Sequence, residues 1–516
     1  MKKMQQLRRR LYGFLTSPQT RMCFLATALF GTLAYLYLFV NNINNNDMIV
    51  CLPEGYGSGL TSGRWGLYLL GELTKKVWGV FNVPVLNGVT ALILLGLSAS
   101  VLVRVLELRN RWLCFALSAI TATFAPIGAM MFFQFTVHYY AFAILLMALA
   151  AYCVKHRHCA AFLIGSLLAA CSLGIYQAYF PFFAAVLLLS LLVGCLRQES
   201  SAKEILLDAL RALASLVLSY LLYTLILKGL LVLKHTALSS YQGIDQMGAI
   251  RDLPQQIGNA YLSFLRLPFA EFCGMNATRF VCAGILLSVV LSVLSLILFW
   301  KERHVGKIVL ACAFLLLLPL AANAITLLSG GSALYTRMCF GLIAVFYLPL
   351  LCAEHLPFRK PSVKTAALAV SVLIVVSCAV NYAWQNNGNY QAVYYANRKA
   401  ENYYTSMFTR IRSLDGYRDD MDIVLVGQTI TDEKFYDNYY ATPFRYGART
   451  GATGQINEYS RLNFLANYLG ISVRYATEFE LTQNAEALAA LSEYPDSGCM
   501  AIIGDTVFVV LEAPTN

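Results

Sequence analysis

The chain has 516 residues, 58% of them hydrophobic and 13% charged, with a mean hydropathy of +0.59. A soluble globular domain carries roughly a quarter charged residues, so this composition excludes that class and indicates a polytopic membrane protein. The net charge of +11 is unevenly placed: residues 1–384 carry 29 Lys/Arg against 12 Asp/Glu, and residues 385–516 carry 10 against 16. A basic membrane half is what inward-facing loops produce, and it does not imply nucleic acid.

The N-terminus, "MKKMQQLRRRLYG", holds Lys2, Lys3, Arg8, Arg9 and Arg10, which places residues 1–21 in the cytoplasm. It does not read as a cleavable signal peptide, because the apolar run after it is full-length and lacks a small-residue cleavage site. Apolar stretches suited to crossing a bilayer follow at 22–40, 83–105, 112–131, 137–154, 159–175, 181–196, 209–232, 279–300, 308–328, 338–352 and 365–384. Every second connection is basic: Arg104, Arg109 and Arg111, then "KHRH" at 155–158, then Arg197 and Lys203, then "KERHVGK" at 301–307 and "FRKPSVK" at 358–364. About eleven spans that begin in the cytoplasm put the C-terminus outside.

Residues 22–384 thus form a transmembrane domain with long exterior loops at 41–82 and 234–278. The stretch "WGLYLLGELTKKVWGVF" sets Leu69, Leu70, Leu73 and Val77 against Glu72, Lys75 and Lys76. It predicts a helix lying in the membrane interface. Residues 385–516 alternate helical and strand patterns, and "MAIIGDTVFVV" reads as two strands about Gly504-Asp505. That tail predicts a small extracytoplasmic α/β domain. Most of the 14 cysteines lie in apolar segments and read as packing residues. Only Cys51, Cys273 and Cys499 fall in exterior segments, and a disulfide between two of them stays open.

The carboxylates of the membrane half sort to the ends of the spans. Few lie mid-span, which leaves little for an ion relay through the bilayer. The first exterior loop concentrates the chemistry. Asp47 follows the first span within an Asn-rich segment, where partial desolvation raises the basicity of a carboxylate. Glu54 stands beside Gly55-Tyr56-Gly57. Arg64 suits a lipid phosphate, which a guanidinium holds in bidentate fashion, and Arg337 in "SALYTRMCFG" is a second phosphate candidate. Trp65, with Tyr176, Gln177 and Tyr179 of "GIYQAYFPF", offers sugar stacking and hydroxyl bonding. A solvated surface acid, an Arg-Trp interface anchor and an aromatic belt explain the same residues without a ligand. No metal-ligand motif, Ser-His-Asp order or nucleotide loop is present, so no cofactor is assigned, and a divalent metal is left open.

Taken together, the basic N-terminus, one span, the loop closing in "GYGSGLTSGRW", the "YQAY" turn, the "YTRM" span start and the terminal "YPDSGCMAIIGDTVFVV" resemble one family. It is the type II glucosyltransferase family of serotype-converting phages and their bacterial relatives. The resemblance implies a GT-C-type membrane glycosyltransferase in the bacterial cytoplasmic membrane. Such an enzyme takes a hexose, glucose in the family, from a polyprenyl-phosphate carrier and transfers it to a surface glycan such as O-antigen. It implies that Asp47 is the acid acting on the acceptor. Where the family often has two adjacent acids, this chain has Asn46-Asp47, so Glu54 stands as the candidate second carboxylate. A small flippase and a polyprenyl-phosphate glycosyltransferase encoded beside the chain would favour the transferase reading and are its candidate partners. A surface polysaccharide polymerase and a lipid-linked glycan flippase are the competing readings. A flippase calls for charges inside the spans, of which there are few.

Overall fold

The computed structural model of the chain describes residues 2–52, 55–56, 59–197, 199–240, 252–267, 269, 273, 275, 279–301, 305–328, 334–358, 360–430 and 454–513. The apolar runs set its helices. Among the described residues, seven are long and apolar enough to cross a membrane: Pro18–Asn41, Pro84–Val105, Val137–Lys155, Gln177–Leu196, Ala202–Leu233, Val305–Ala322 and Pro361–Arg412. The pair Arg111–Thr123 and Ala125–Met131, bent by 49°, makes an eighth if it is one span. Shorter apolar helices cover Cys159–Ile175, Ala283–Leu298 and Phe340–His355. The bend falls at Phe124, just before Pro126, which has no N–H to continue the ladder.

The chain divides into two compact units. Met1–Val40 and Ser58–Asn387 form a helical unit, and Asn41–Gly57 groups with Gly388–Asn516. The loop read from sequence as 41–82 is therefore shared between the two.

In the helical unit, the connections that carry the basic residues meet one another. Lys155 pairs with Glu107 at 2.5 Å, and Arg197 pairs with the same carboxylate. Arg157 bonds Asp208 at 3.0 Å, and Glu354 accepts from the backbone of Arg109 and Asn110. These pairs tie the basic connections to the acids at the neighbouring helix ends. The helix Ala202–Leu233 starts with a Ser201/Glu204 capping box. It exposes Leu206, Leu210, Leu213, Val217, Leu221 and Leu225 at helical spacing, an apolar face suited to lipid. A helix runs over Trp65–Trp78, with Leu69, Leu73, Val77 and Trp78 exposed.

One element differs from its sequence pattern. The sequence reading set a domain boundary at 384/385, yet Pro361–Arg412 is a single helix that runs across it and through the polar run "NNGN". The run holds no proline, and its amides have partners. Asn386 Nδ2 donates to the Thr123 carbonyl at 3.0 Å, and Asn387 Nδ2 donates to the Leu33 carbonyl at 2.7 Å. The helix therefore keeps its ladder through a stretch of poor helix formers.

The second unit carries a four-stranded sheet of β1 (Asp422–Val426), β2 (Arg474–Tyr475), β3 (Met500–Ile503) and β4 (Thr506–Val510), in the order β2-β1-β4-β3. β1 pairs parallel with both neighbours, and β3 and β4 form a hairpin turning at Gly504, whose φ is 63°. One face packs Ile423, Leu425, Val507 and Val509 against Tyr404, Met407 and Ile411 of the long helix, together with Ile49. Arg461 is buried there, donating to the Tyr404 hydroxyl at 2.8 Å and the Tyr475 hydroxyl at 3.1 Å.

Arg474 grips Glu480 with two bonds of 2.8 and 2.6 Å, and Glu480 closes a capping box with Thr477. Arg474 first, then the Thr477 N–H, holds the Glu480 carboxyl down at about 2. A depressed carboxyl contributes stability above its ordinary value and loses it as pH falls through its folded value. Glu480→Ala should cost about 1 kcal/mol, discounted for exposure, and so speed amide exchange in β1 and β2 about fivefold at neutral pH. Exchange mass spectrometry should show that difference vanish as pH falls from about 4.5 toward about 2.

Candidate active site

In the helical unit the short turn Leu60–Ser62 ends at Gly63, whose φ of 74° is a left-handed conformation that glycine adopts without strain. Two side chains pin it. Gln177 Nε2 donates to the Ser62 carbonyl and to the Tyr223 hydroxyl, both at 3.0 Å, and Tyr223 donates to the Gly63 carbonyl at 2.9 Å. A Cβ on Gly63 would stand 2.7 Å from Gln177 Nε2. The loop glycines read from sequence as an approach for a ligand therefore serve, at Gly63, the approach of the protein's own Gln177 and Tyr223.

Next along the chain, Trp65 lies flat against Gly174: a Cβ there would come within 2.4 Å of the indole. Gly66 meets the same backbone, with its missing Cβ 2.9 Å from the Gly174 carbonyl carbon. These two glycine contacts bring Arg64, the residue before the helix Trp65–Trp78, onto the ring of Tyr176, with the guanidinium carbon 5.1 Å from the ring centroid. Arg64 Nε is buried without a hydrogen-bond partner, and Arg64 has no carboxylate partner among the described ion pairs.

Arg337 comes to the same phenol. Burial pushes the Tyr176 phenol up, and Arg337 followed by Arg64 pulls it back. The guanidinium of Arg337 also lies 4.6 Å from the Phe133 ring and 4.9 Å from the Tyr335 ring. Tyr176 packs between Tyr140 and Tyr179, each with its ring centroid 5.1 Å away, and its hydroxyl has no partner of good geometry. Tyr179 is buried and donates to Met130 Sδ at 3.2 Å. The structure thus brings together Arg64, Trp65, Tyr176, Gln177, Tyr179 and Arg337. Two cations framed by aromatic rings suit an anion with a short polar head and apolar surroundings.

Asp47 belongs to the second unit and opens the helix Asn46–Cys51. Its N–H is accepted by the side-chain oxygens of Asn45 and Asn46, each at 2.9 Å. A ring of amides holds the segment. Asn397 Nδ2 donates to the Asn44 carbonyl at 2.9 Å, and its Oδ1 accepts from the Gln455 N–H at 2.8 Å. Gln455 Oε1 in turn accepts from the Asn46 N–H at 3.3 Å. Ile49, two residues past Asp47, is buried in the unit's core. Glu54 lies outside the described residues. Among the described residues no three His, Cys, Asp or Glu side chains gather as a metal site would require.

Residues 36–382 match the family described as Glucosyl transferase GtrII. The chain belongs to that family. No curated protein and no solved structure matches it. Membership of the GtrII family makes the chain a glucosyltransferase, and its apolar helices make it a membrane protein. The matched stretch contains Asp47 and all six residues of the cationic cluster, and it ends before Asn397 and Gln455.

Tyr223, Phe133, Tyr140, Asn397 and Gln455 were not singled out from sequence. Tyr223 and Tyr140 sit inside apolar runs where an aromatic residue carries no signal. Asn397 and Gln455 act through amides that only the fold brings together. Gly174→Ala should destabilise the helical unit by about 1–3 kcal/mol, because the rigid indole must move, and it should slow glucosyl transfer by displacing Arg64. Thermal unfolding of Gly174→Ala, Trp65→Phe and the double variant should be non-additive, with the smaller ring relieving part of the cost.

Proposed function

We propose that this GtrII-family enzyme transfers a hexosyl group, glucosyl by its family, from a polyprenyl-phosphate sugar to a cell-surface glycan such as O-antigen. The reaction takes place at the outer face of the bacterial cytoplasmic membrane. The frame is of the GT-C type, with about eleven spans, a cytoplasmic N-terminus and an extracytoplasmic C-terminal α/β domain. A small flippase and a polyprenyl-phosphate glycosyltransferase would supply the donor on that face.

One observation supports the donor class above others: Arg64, with a buried and unpartnered Nε, and Arg337 both act on Tyr176 within a wall of aromatic rings. A buried guanidinium N–H without an acceptor is costly, and a phosphate oxygen relieves that cost. The aromatic surround suits the first units of a lipid chain and the face of a sugar.

In this mechanism the acceptor hydroxyl attacks the anomeric carbon as Asp47 takes its proton. The bond between that carbon and the phosphate oxygen breaks in the same displacement, which inverts the configuration. The charge left on the polyprenyl phosphate is held by Arg64 and Arg337. Trp65, Tyr176, Gln177 and Tyr179 hold the sugar, with the Tyr176 ring beside Arg64. Glu54 is the candidate second carboxylate.

Purified enzyme in nanodiscs should transfer glucose from polyprenyl-phosphate glucose and not from nucleotide-linked glucose. Asp47→Asn should lower that rate by at least about a hundredfold, the scale of general-base catalysis, while the protein remains folded in the membrane. Turnover with the nucleotide sugar alone, or an active Asp47→Asn enzyme, would contradict the assignment. Movement of the lipid-linked sugar across the bilayer without transfer would point to a flippase.

A further inference from the structure

Cys273 and Cys339 are brought side by side in the helical unit. The side chain of Thr336 donates to the Cys273 carbonyl oxygen. Cys339 follows one short turn later, its N–H bonded to the Thr336 carbonyl at 3.0 Å. Cys339 Sγ donates to the Tyr335 carbonyl at 3.7 Å, each thiol acts on the ionisation of the other, and both are free in this structure. Cys273 also adopts a φ of 49°, a left-handed conformation that a cysteine rarely takes. Sequence reading offered Cys273 only Cys51 and Cys499 as partners, because Cys339 falls at the start of an apolar stretch.

We propose that Cys273 and Cys339 form a disulfide in the mature protein. The bond would tie the segment after the helix Leu253–Arg266 to the turn that carries Arg337. The closed loop contains the apolar helices Arg279–Lys301 and Val305–Ala322, and a cross-link over a long loop removes many unfolded conformations. The inference rests on the reading that this end of the helices faces the oxidising outer side.

The chemistry is thiol–disulfide exchange with an oxidised dithiol protein. The Cys273 thiolate attacks one sulfur of the donor disulfide, and the first donor thiolate leaves. The Cys339 thiolate then attacks Cys273 Sγ and expels the donor through its second sulfur. Two protons and two electrons leave the pair, and the donor is reduced to its dithiol.

The test is differential alkylation of the full-length protein from membranes. The protein is denatured in detergent with iodoacetamide, then reduced, then treated with N-ethylmaleimide and mapped by mass spectrometry. Both cysteines should carry only the second label, and in Cys339→Ser the freed Cys273 should take the first. First label on both wild-type cysteines would overturn the disulfide, as would a Cys273 still protected in Cys339→Ser. In spheroplasts, a membrane-impermeant maleimide applied to Cys339→Ser reports the side on which Cys273 lies. Labelling of Cys273 only after permeabilisation would overturn the outer-face reading itself, and with it the oxidising side the bond needs. Labelling without permeabilisation, with both wild-type thiols free, would overturn the disulfide alone.

Discussion

A guanidinium removed from water must find an anion, and at Arg64 the chain does not provide one among its described residues. Its Nε is buried and unpartnered, and its guanidinium carbon lies 5.1 Å from the centroid of the Tyr176 ring. Several features of the helical unit converge on keeping it there. Gly63 takes the backbone through a left-handed turn that Gln177 and Tyr223 hold in place. Gly174 admits the Trp65 indole where any side chain would expel it. These contacts cost the chain little, because glycine permits them, and they fix a cation that has no carboxylate partner among the described ion pairs. Arg337 adds a second positive charge beside the same phenol.

Much of the helical unit was legible in the sequence, because hydropathy and charge act over long runs. The apolar stretches fall on helices, and acids at the helix ends bond the basic connections, as Glu107 does with Lys155 and Arg197. The helix Trp65–Trp78 was legible from its periodicity. Breaks were less so. Pro126 bends a helix within one apolar stretch, whereas the polar run at Asn386 and Asn387 breaks nothing, since its amides are satisfied by neighbouring carbonyls. Local composition marks polarity but not whether a polar group will find a partner.

The site was legible in its residue types and not in its wiring. Arg64, Trp65, Tyr176, Gln177, Tyr179 and Arg337 stand out from an apolar background, and the fold gathers them. Their supports, Tyr223 and Tyr140, do not stand out. Asp47 illustrates the deeper difficulty. Its neighbours in sequence, Asn45 and Asn46, bond its N–H, but Asn397 and Gln455 hold the segment from far along the chain. The family match ends before those two residues, so the part of the chain that anchors Asp47 lies beyond the matched stretch. The thiol pair Cys273 and Cys339 was hidden for a similar reason: one member sits where an apolar stretch begins, and burial by itself marks a cysteine as packing.

The most direct measurement is the affinity of the purified protein in nanodiscs for polyprenyl phosphate, the lipid product, in wild type, Arg64→Gln and Arg337→Gln. A phosphate held by both guanidiniums predicts saturable binding that weakens about tenfold or more in each variant, the scale of one lost charge-assisted bond, with the fold intact. Wild-type binding that neither substitution changes would contradict the account, because the lipid phosphate would then be held elsewhere.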